Sequence, residues 1–247
     1  MAGKPKPTPI EVFEANIGDA ERLLGLTRAL LNARTYRMRR ERRDAVGALL
    51  RLPQKKWNEL DCVESKDVFV VLKPGGNVRR EHFTEPELRP LLRQALVAIA
   101  AAVESYVSEK ACTYIGSALD DLPDRLRQVS VSLGEVIEIE DRYKRRRWGY
   151  RDVIEEYLIG EASASPSKIG IVFSTVGKRG FWPRVDADRS VRTGTSEKQL
   201  EELAGRRNRI AHTGDRIGFR RATLKIEEVE KHLRNARDIV HALETVL

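Results

Sequence analysis

A chain of 247 residues with 41% hydrophobic side chains is long enough to bury a substantial core. Its 45 Lys and Arg against 37 Asp and Glu leave a net charge of +8, which points to a polyanion such as nucleic acid, although an ordinary soluble basic protein carries the same balance. Two cysteines, Cys62 and Cys112, exclude a disulfide framework or a zinc set and fit a reducing, cytoplasmic compartment. No apolar run follows Lys4-Pro5-Lys6-Pro7, and the longest one, Ala95 to Val103, is too short to cross a bilayer, so no signal peptide or membrane association is expected.

The first helix is well punctuated. Thr8 can cap, Pro9 suits the first turn and Glu11 completes a capping box, followed by a broad apolar face from Val12 to Leu31. The run Arg37-Met38-Arg39-Arg40-Glu41-Arg42-Arg43 is a solvated face or a non-specific phosphate contact, and Ala45 to Leu50 carry a second helix that ends before Pro53. Residues 53–83 change character. Asp67 to Leu72 reads as a strand, Pro74-Gly75-Gly76-Asn77 as a turn, and Val78 to Phe83 as the returning strand of a small β insertion, with His82 on its surface.

Thr84-Glu85-Pro86-Glu87 opens a helix to about Ser108 that is apolar over most of its surface and therefore central. Glu104 lies among these apolar residues and either meets a cation, with Arg207 one candidate, or sits at an exposed edge. Further helices follow over 111–160, broken near Pro123. The stretch Tyr143-Lys144-Arg145-Arg146-Arg147-Trp148 interleaves cations with aromatics, which suits RNA contact and equally suits a loop pinned by its Trp. Residues 160–195, rich in Gly, Ser and Thr, read as a long connecting loop. The last helix spans about 226–246. No internal repeat, nucleotide-binding loop, metal motif or hydrolase triad is present in the sequence, and no cofactor is expected.

Between these last two segments runs a helix with a Ser196/Gln199 capping box, Leu200, Leu203, Ala204, Ile210 and Ala211 at helical spacing, and a stop at Gly214. Counting seven from Leu200 reaches Arg207, where an apolar residue is expected, so its charge needs a partner or a ligand. Asn208 and His212 share a face, and an amide there can orient the imidazole. Arg206 and Arg209 flank them as further RNA-binding candidates. The chemistry that uses such a set is phosphodiester cleavage by the 2′-hydroxyl of RNA. It needs a proton carrier near neutral pH, supplied by His212, and a planar cation on the phosphate, supplied by Arg207. Spacing alone is weak support in a chain this rich in Arg, since a surface His at a helix end is common. The neighbouring set Arg234, Asn235 and His241 lies in an ordinary amphipathic helix and reads as structural.

Leu203-Ala204-Gly205-Arg206-Arg207-Asn208-Arg209-Ile210-Ala211-His212 resembles the signature of the HEPN superfamily, an Arg followed by a polar residue and, a few positions on, by a His. The helix around Leu92 to Val107 is similar to the one that this superfamily packs against the signature helix. The likeness runs over roughly residues 8–33, 84–117 and 150–247, and the subgroup most resembled is the RiboL-PSP-type HEPN proteins. The resemblance implies a mainly all-α helical bundle, here a single domain over 1–247 with the β insertion at 53–83. It also implies a metal-independent endoribonuclease acting on RNA, often a toxin or antiviral effector, working as a homodimer and answering to an antitoxin or regulatory protein. In that reading Arg207, Asn208 and His212 are catalytic, and Arg206, Arg209, Lys144, Arg145, Arg146 and Arg147 contact RNA. Glu104 supports Arg207. HEPN toxins held by a nucleotidyltransferase antitoxin carry a Tyr two residues past the His, and Gly214 in that position sets this chain apart from them. The alternatives are a non-catalytic RNA-binding or sensor module and a protein-interaction subunit in which Arg207 makes an interface salt bridge.

Overall fold

A computed structural model describes residues 5–31, 34–36, 40–64, 68–72, 84–121, 126, 129–142 and 146–247. Helix α1 (Pro9–Leu31) starts as the sequence predicts. Thr8 donates its backbone N–H and its hydroxyl to Glu11 Oε2 at 2.8 and 2.9 Å. The Glu11 N–H returns a bond to Thr8 Oγ1 at 3.4 Å, and these bonds hold the Glu11 carboxyl below the usual carboxylate range. Helix α2 (Arg40–Leu49) ends before Pro53 as expected.

The β insertion contains a strand pairing that the sequence did not predict. Strand β3 (Val68–Leu72) is where the sequence placed it, and a partner precedes it: β2 (Leu60–Glu64) runs antiparallel with Cys62 opposite Val70. Strand β1 (Arg34–Tyr36) adds on the far side in the order β1-β2-β3. Asp61 and Glu64 break the apolar character of Leu60-Asp61-Cys62-Val63-Glu64 and hide a strand whose pairing is carried by its backbone. The expected return strand, the turn and His82 fall in 73–83, outside the described residues.

Helix α3 (Glu85–Cys112) is the centre of the bundle. It packs against α1, and against the later helices α6 (Arg146–Glu161), α7 (Pro166–Thr175), α9 (Thr195–Thr213) and α10 (Ile226–Val246). Leu92, Leu96, Ile99, Val103 and Tyr106 of α3 and Phe13, Ile17 and Ala20 of α1 are all fully buried. Phe13 and Tyr106 meet edge to face with ring centroids 6.1 Å apart. By length and composition α3 is apolar enough to cross a membrane, yet more than half of that stretch is buried inside the protein. Helices α4 (Ile115–Asp121) and α5 (Leu133–Arg142) complete the part that the sequence read as broken helices, and both pack on α6.

Residues 160–195 are not a loop. They form α7 and α8 (Trp182–Asp188), with Ile169, Val172, Phe173, Phe181 and Val185 buried. The glycines that suggested a flexible connection are at tight turns, Gly177, Gly180 and Gly194, each with positive φ. Pro166 and Pro183 sit in the first turns of the two helices, where a missing N–H costs nothing. The result is a mainly all-α bundle in which α3, α7 and α8 cradle α9.

Of the set Arg234, Asn235 and His241, His241 is engaged between helices. His241 Nε2 lies 2.8 Å from Glu14 Oε1, and Arg237 bonds Glu14 at 3.1 Å and Glu21 at 2.8 Å, which ties α10 to α1.

Candidate functional site

Helix α9 is anchored at its start by a residue from outside it. Asp186 of α8, buried, accepts the N–H groups of Gly194 at 2.6 Å and Ser196 at 2.9 Å. Ser196 and Gln199 do not form the expected capping box. Both accept from Arg189, whose guanidinium donates to Ser196 Oγ at 2.6 Å and to Gln199 Oε1 at 3.0 Å. A carboxylate beats a hydroxyl as acceptor for the helix's free N–H groups, so Asp186 takes the cap and leaves Ser196 to the arginine.

Leu200, Leu203 and Ala204 then bury the inner stripe of α9, and Arg207 continues it toward α3. One Arg207 nitrogen lies 3.5 Å from Glu104 Oε2 and another donates to Asn208 Oδ1 at 3.1 Å. Glu104 is itself held, because its second oxygen accepts the Ala164 N–H at 3.4 Å. The guanidinium is thus aimed by a carboxylate from the central helix while a third of its side chain stays open to solvent.

His212 is exposed on the last turn of α9. The helix stops there because Gly214 (φ 60°) and Asp215 (φ 63°) both turn left-handed, with Gly214 N–H on Ile210 O at 3.1 Å and Asp215 N–H on Arg209 O at 3.0 Å. Asn208 does not orient His212 as the sequence suggested. Its amide oxygen is taken by Arg207, a charged and adjacent donor, and among the described residues no side chain hydrogen-bonds the His212 ring. The open end of α9 therefore presents a positioned cation and, five residues on and roughly 140° around the helix, an exposed imidazole.

A family model of RiboL-PSP-HEPN proteins matches residues 76–247. The chain belongs to the RiboL-PSP-HEPN family. No curated protein and no solved structure matches it. HEPN membership carries a ribonuclease-like or RNA-related function at the level of the family. The matched stretch holds α3 through α10, and α1 packs on it from outside that stretch.

Within this HEPN bundle the remaining predicted RNA contacts divide. Arg206 turns inward. It lies 2.8 Å from Asp215 Oδ2 and donates to Thr223 O at 2.8 Å, so its guanidinium is engaged by the fold. Arg93 of α3 approaches the same carboxylate oxygen at 3.2 Å and donates to Ala222 O at 3.1 Å. Asp215 is fully buried between the two guanidinium groups. Arg209 is exposed and edges a cleft of about 230 Å³ together with Glu201, Glu202, Glu228 and His232. Arg147 is paired with Asp120 at 2.6 Å and remains largely exposed. Arg146 begins α6, while Lys144 and Arg145 lie outside the described residues. Among the described residues no three His, Cys, Asp or Glu side chains converge to hold a metal ion.

The sequence reading passed over Asp215, His232 and a short hairpin, β4 (Arg216–Ile217) with β5 (Arg220–Arg221). The hairpin had a local signal, Gly218 as the first residue of a two-residue turn with φ 62°. His232 had none, since its burial depends on how α10 meets α9. That burial pushes its imidazole pKa down from the ordinary value, opposed by Glu202 and Glu228 and reinforced by Lys231 and Arg206.

Proposed function

We propose that this HEPN protein is a metal-independent endoribonuclease that cleaves RNA by attack of the 2′-hydroxyl on the adjacent phosphorus. The O2′–P bond forms as the P–O5′ bond breaks, leaving a 2′,3′-cyclic phosphate and a free 5′-hydroxyl. One proton leaves O2′ and one arrives at O5′. His212 carries one of these transfers as base or acid, and Arg207 holds the non-bridging phosphate oxygens as charge builds on them. Glu104 acts as a positioning residue through Arg207. In a homodimer with the two α9 ends close together, the second His212 takes the other transfer. The observation that carries this reading is the guanidinium of Arg207, aimed by Glu104 and left open to solvent on the helix that exposes His212. RNA cleavage of this kind suits a toxin or defence effector in the cytoplasm, restrained by an antitoxin or regulatory protein.

The test is cleavage of a varied RNA pool in EDTA. The intact protein is expected to leave cyclic phosphate ends, and His212→Ala at matched fold and oligomeric state to lose about 10²–10⁴-fold in rate. Absence of cutting by the intact protein overturns the nuclease reading. A second reading, a non-catalytic RNA-binding module, is favoured by the absence, among the described residues, of any group that fixes the His212 ring. It predicts RNA binding that survives His212→Ala with no cleavage throughout. The interaction-subunit reading loses ground because Arg207 finds its carboxylate within its own chain.

A further inference from the structure

The hairpin 216–221 begins four residues after His212 and has the sequence Arg216-Ile217-Gly218-Phe219-Arg220-Arg221. Its tip is exposed to an unusual degree. Phe219 is 103% accessible and Ile217 68%. An aromatic ring held wholly in water at the tip of a tight turn leaves its full face open to a ligand. Arg216 stands directly opposite Arg221 across the ladder, and Ile217 opposite Arg220. Like charges directly opposite one another weaken an antiparallel pair unless an anion sits between them. The ion pairs in this corner go to Asp215, from Arg93 and Arg206. Among the described residues no carboxylate pairs with Arg216, Arg220 or Arg221.

The base of the hairpin is tied down by hydrogen bonds, in contrast to its open tip. Ala222 N–H bonds Asp215 O at 2.7 Å and closes the ladder. Arg93 holds Ala222 O and Arg206 holds Thr223 O, while both bracket the buried Asp215 carboxylate. The hairpin's base is therefore tied to α3 and α9, the helices that carry Glu104, Arg207 and His212. An exposed ring on a hairpin whose arginines pair with no carboxylate among the described residues has the makeup of a single-strand platform, because every base has a π-face to stack and every linkage a phosphate to pair. The apolar area is two side chains, too little for the buried centre of a protein interface.

We infer that the 216–221 hairpin is a single-stranded RNA platform, with Phe219 stacking a nucleobase while Arg216 and Arg221 hold the adjoining phosphate. It rests on reading RNA as the substrate of the His212 site, and it sets the strand's path across that site.

The experiment uses the full chain carrying His212→Ala and a single-stranded RNA oligonucleotide containing 2-aminopurine. Stacking quenches the fluorescence of the base on binding. Phe219→Ala in the same background is expected to weaken binding about five- to a hundredfold and abolish the quench. Phe219→Tyr keeps a stacking ring and is expected to keep both. Arg216→Ala and Arg221→Ala each lower the slope of log affinity against log salt by roughly 0.7. Unchanged affinity and quench in Phe219→Ala overturn the inference, as does a change in oligomeric state with RNA binding intact, which marks a protein interface instead. The two readings separate cleanly. Hairpin-dependent binding with no cleavage by the intact protein keeps the platform and removes the nuclease. His212-dependent cleavage indifferent to Phe219, Arg216 and Arg221 removes the platform and keeps the nuclease. Failure of RNA to bind at all removes both.

Discussion

Arg207 occupies a position in α9 where Leu200 and Leu203 prepare for an apolar side chain, and its guanidinium is tolerated there because Glu104 meets it. The pair is long, at 3.5 Å, and about a third of the arginine and a fifth of the glutamate stay wet. Such a pair contributes little to folding, about 0–1 kcal/mol. Its value in the proposed reaction is geometric, because a planar fork must be aimed to give two bonds to one phosphate. Two variants separate aim from charge. Arg207→Lys keeps the charge and loses the fork, and Glu104→Gln keeps the shape and loses the aim. Both are expected to leave the urea midpoint nearly unchanged. Both should lower kcat/KM for RNA cleavage by about ten- to a hundredfold, the worth of about 1.5–3 kcal/mol for a hydrogen bond to a charged group. Full activity in both variants removes Arg207 from the phosphate.

At the level of elements, the stop of α9 and the start of β4 are one device. Two left-handed residues reverse the chain, and the second, Asp215, puts its carboxylate between Arg93 and Arg206 with no solvent access. Removing that carboxylate strands two cations in the bundle. Asp215→Ala is therefore expected to lose about 3–5 kcal/mol in urea unfolding, the usual cost of breaking a buried pair from one side. A loss under about 1 kcal/mol, the range of an exposed pair, shows that water reaches the cluster. The stop at Gly214 was legible in the sequence, but the buried ion cluster behind it was not. Arg206 and Arg209 look alike as neighbours in an Arg-rich run, and only the contact with α3 and the hairpin turns one inward and leaves the other in water. The helices themselves were legible where apolar period and punctuation agreed, as in α1 with Thr8, Pro9 and Glu11, or in the long apolar α3. Strand β2 was missed because its pairing is carried by backbone bonds to β3, and its acidic residues mask it. Residues 160–195 were misread because glycine marks a tight turn and a flexible loop with the same letter. The cap of α9 fell between these cases. Ser196 and Gln199 are engaged at the right turn, but by Arg189, since Asp186 reaches the helix from another element.

For the whole molecule, two properties follow from how α9 and α10 meet and from how many His212 side chains one cleavage needs. His232 is half-buried between these helices, facing Glu202 and Arg206 of α9 with Glu228 and Lys231 beside it on α10. Its folded pKa lies below the ordinary 6.5, so the unfolded chain takes up the proton first as pH falls. Stability from this residue is full above 6.5 and declines as pH drops through the lowered folded value. His232→Gln is expected to flatten that part of the pH profile of the urea midpoint, and an unaltered slope assigns the acid sensitivity to other groups. The second property is stoichiometry. Each chain offers a single His212 at its α9 end, whereas strand cleavage moves two protons, so the proposed site is complete only in a two-fold pair. If so, inactive subunits poison active ones. With subunits allowed to exchange at fixed total protein, activity should fall as the square of the wild-type fraction when His212→Ala is mixed in, because a mixed pair lacks either its base or its acid. A linear fall means that each chain cuts alone and that a second proton carrier lies within the same subunit.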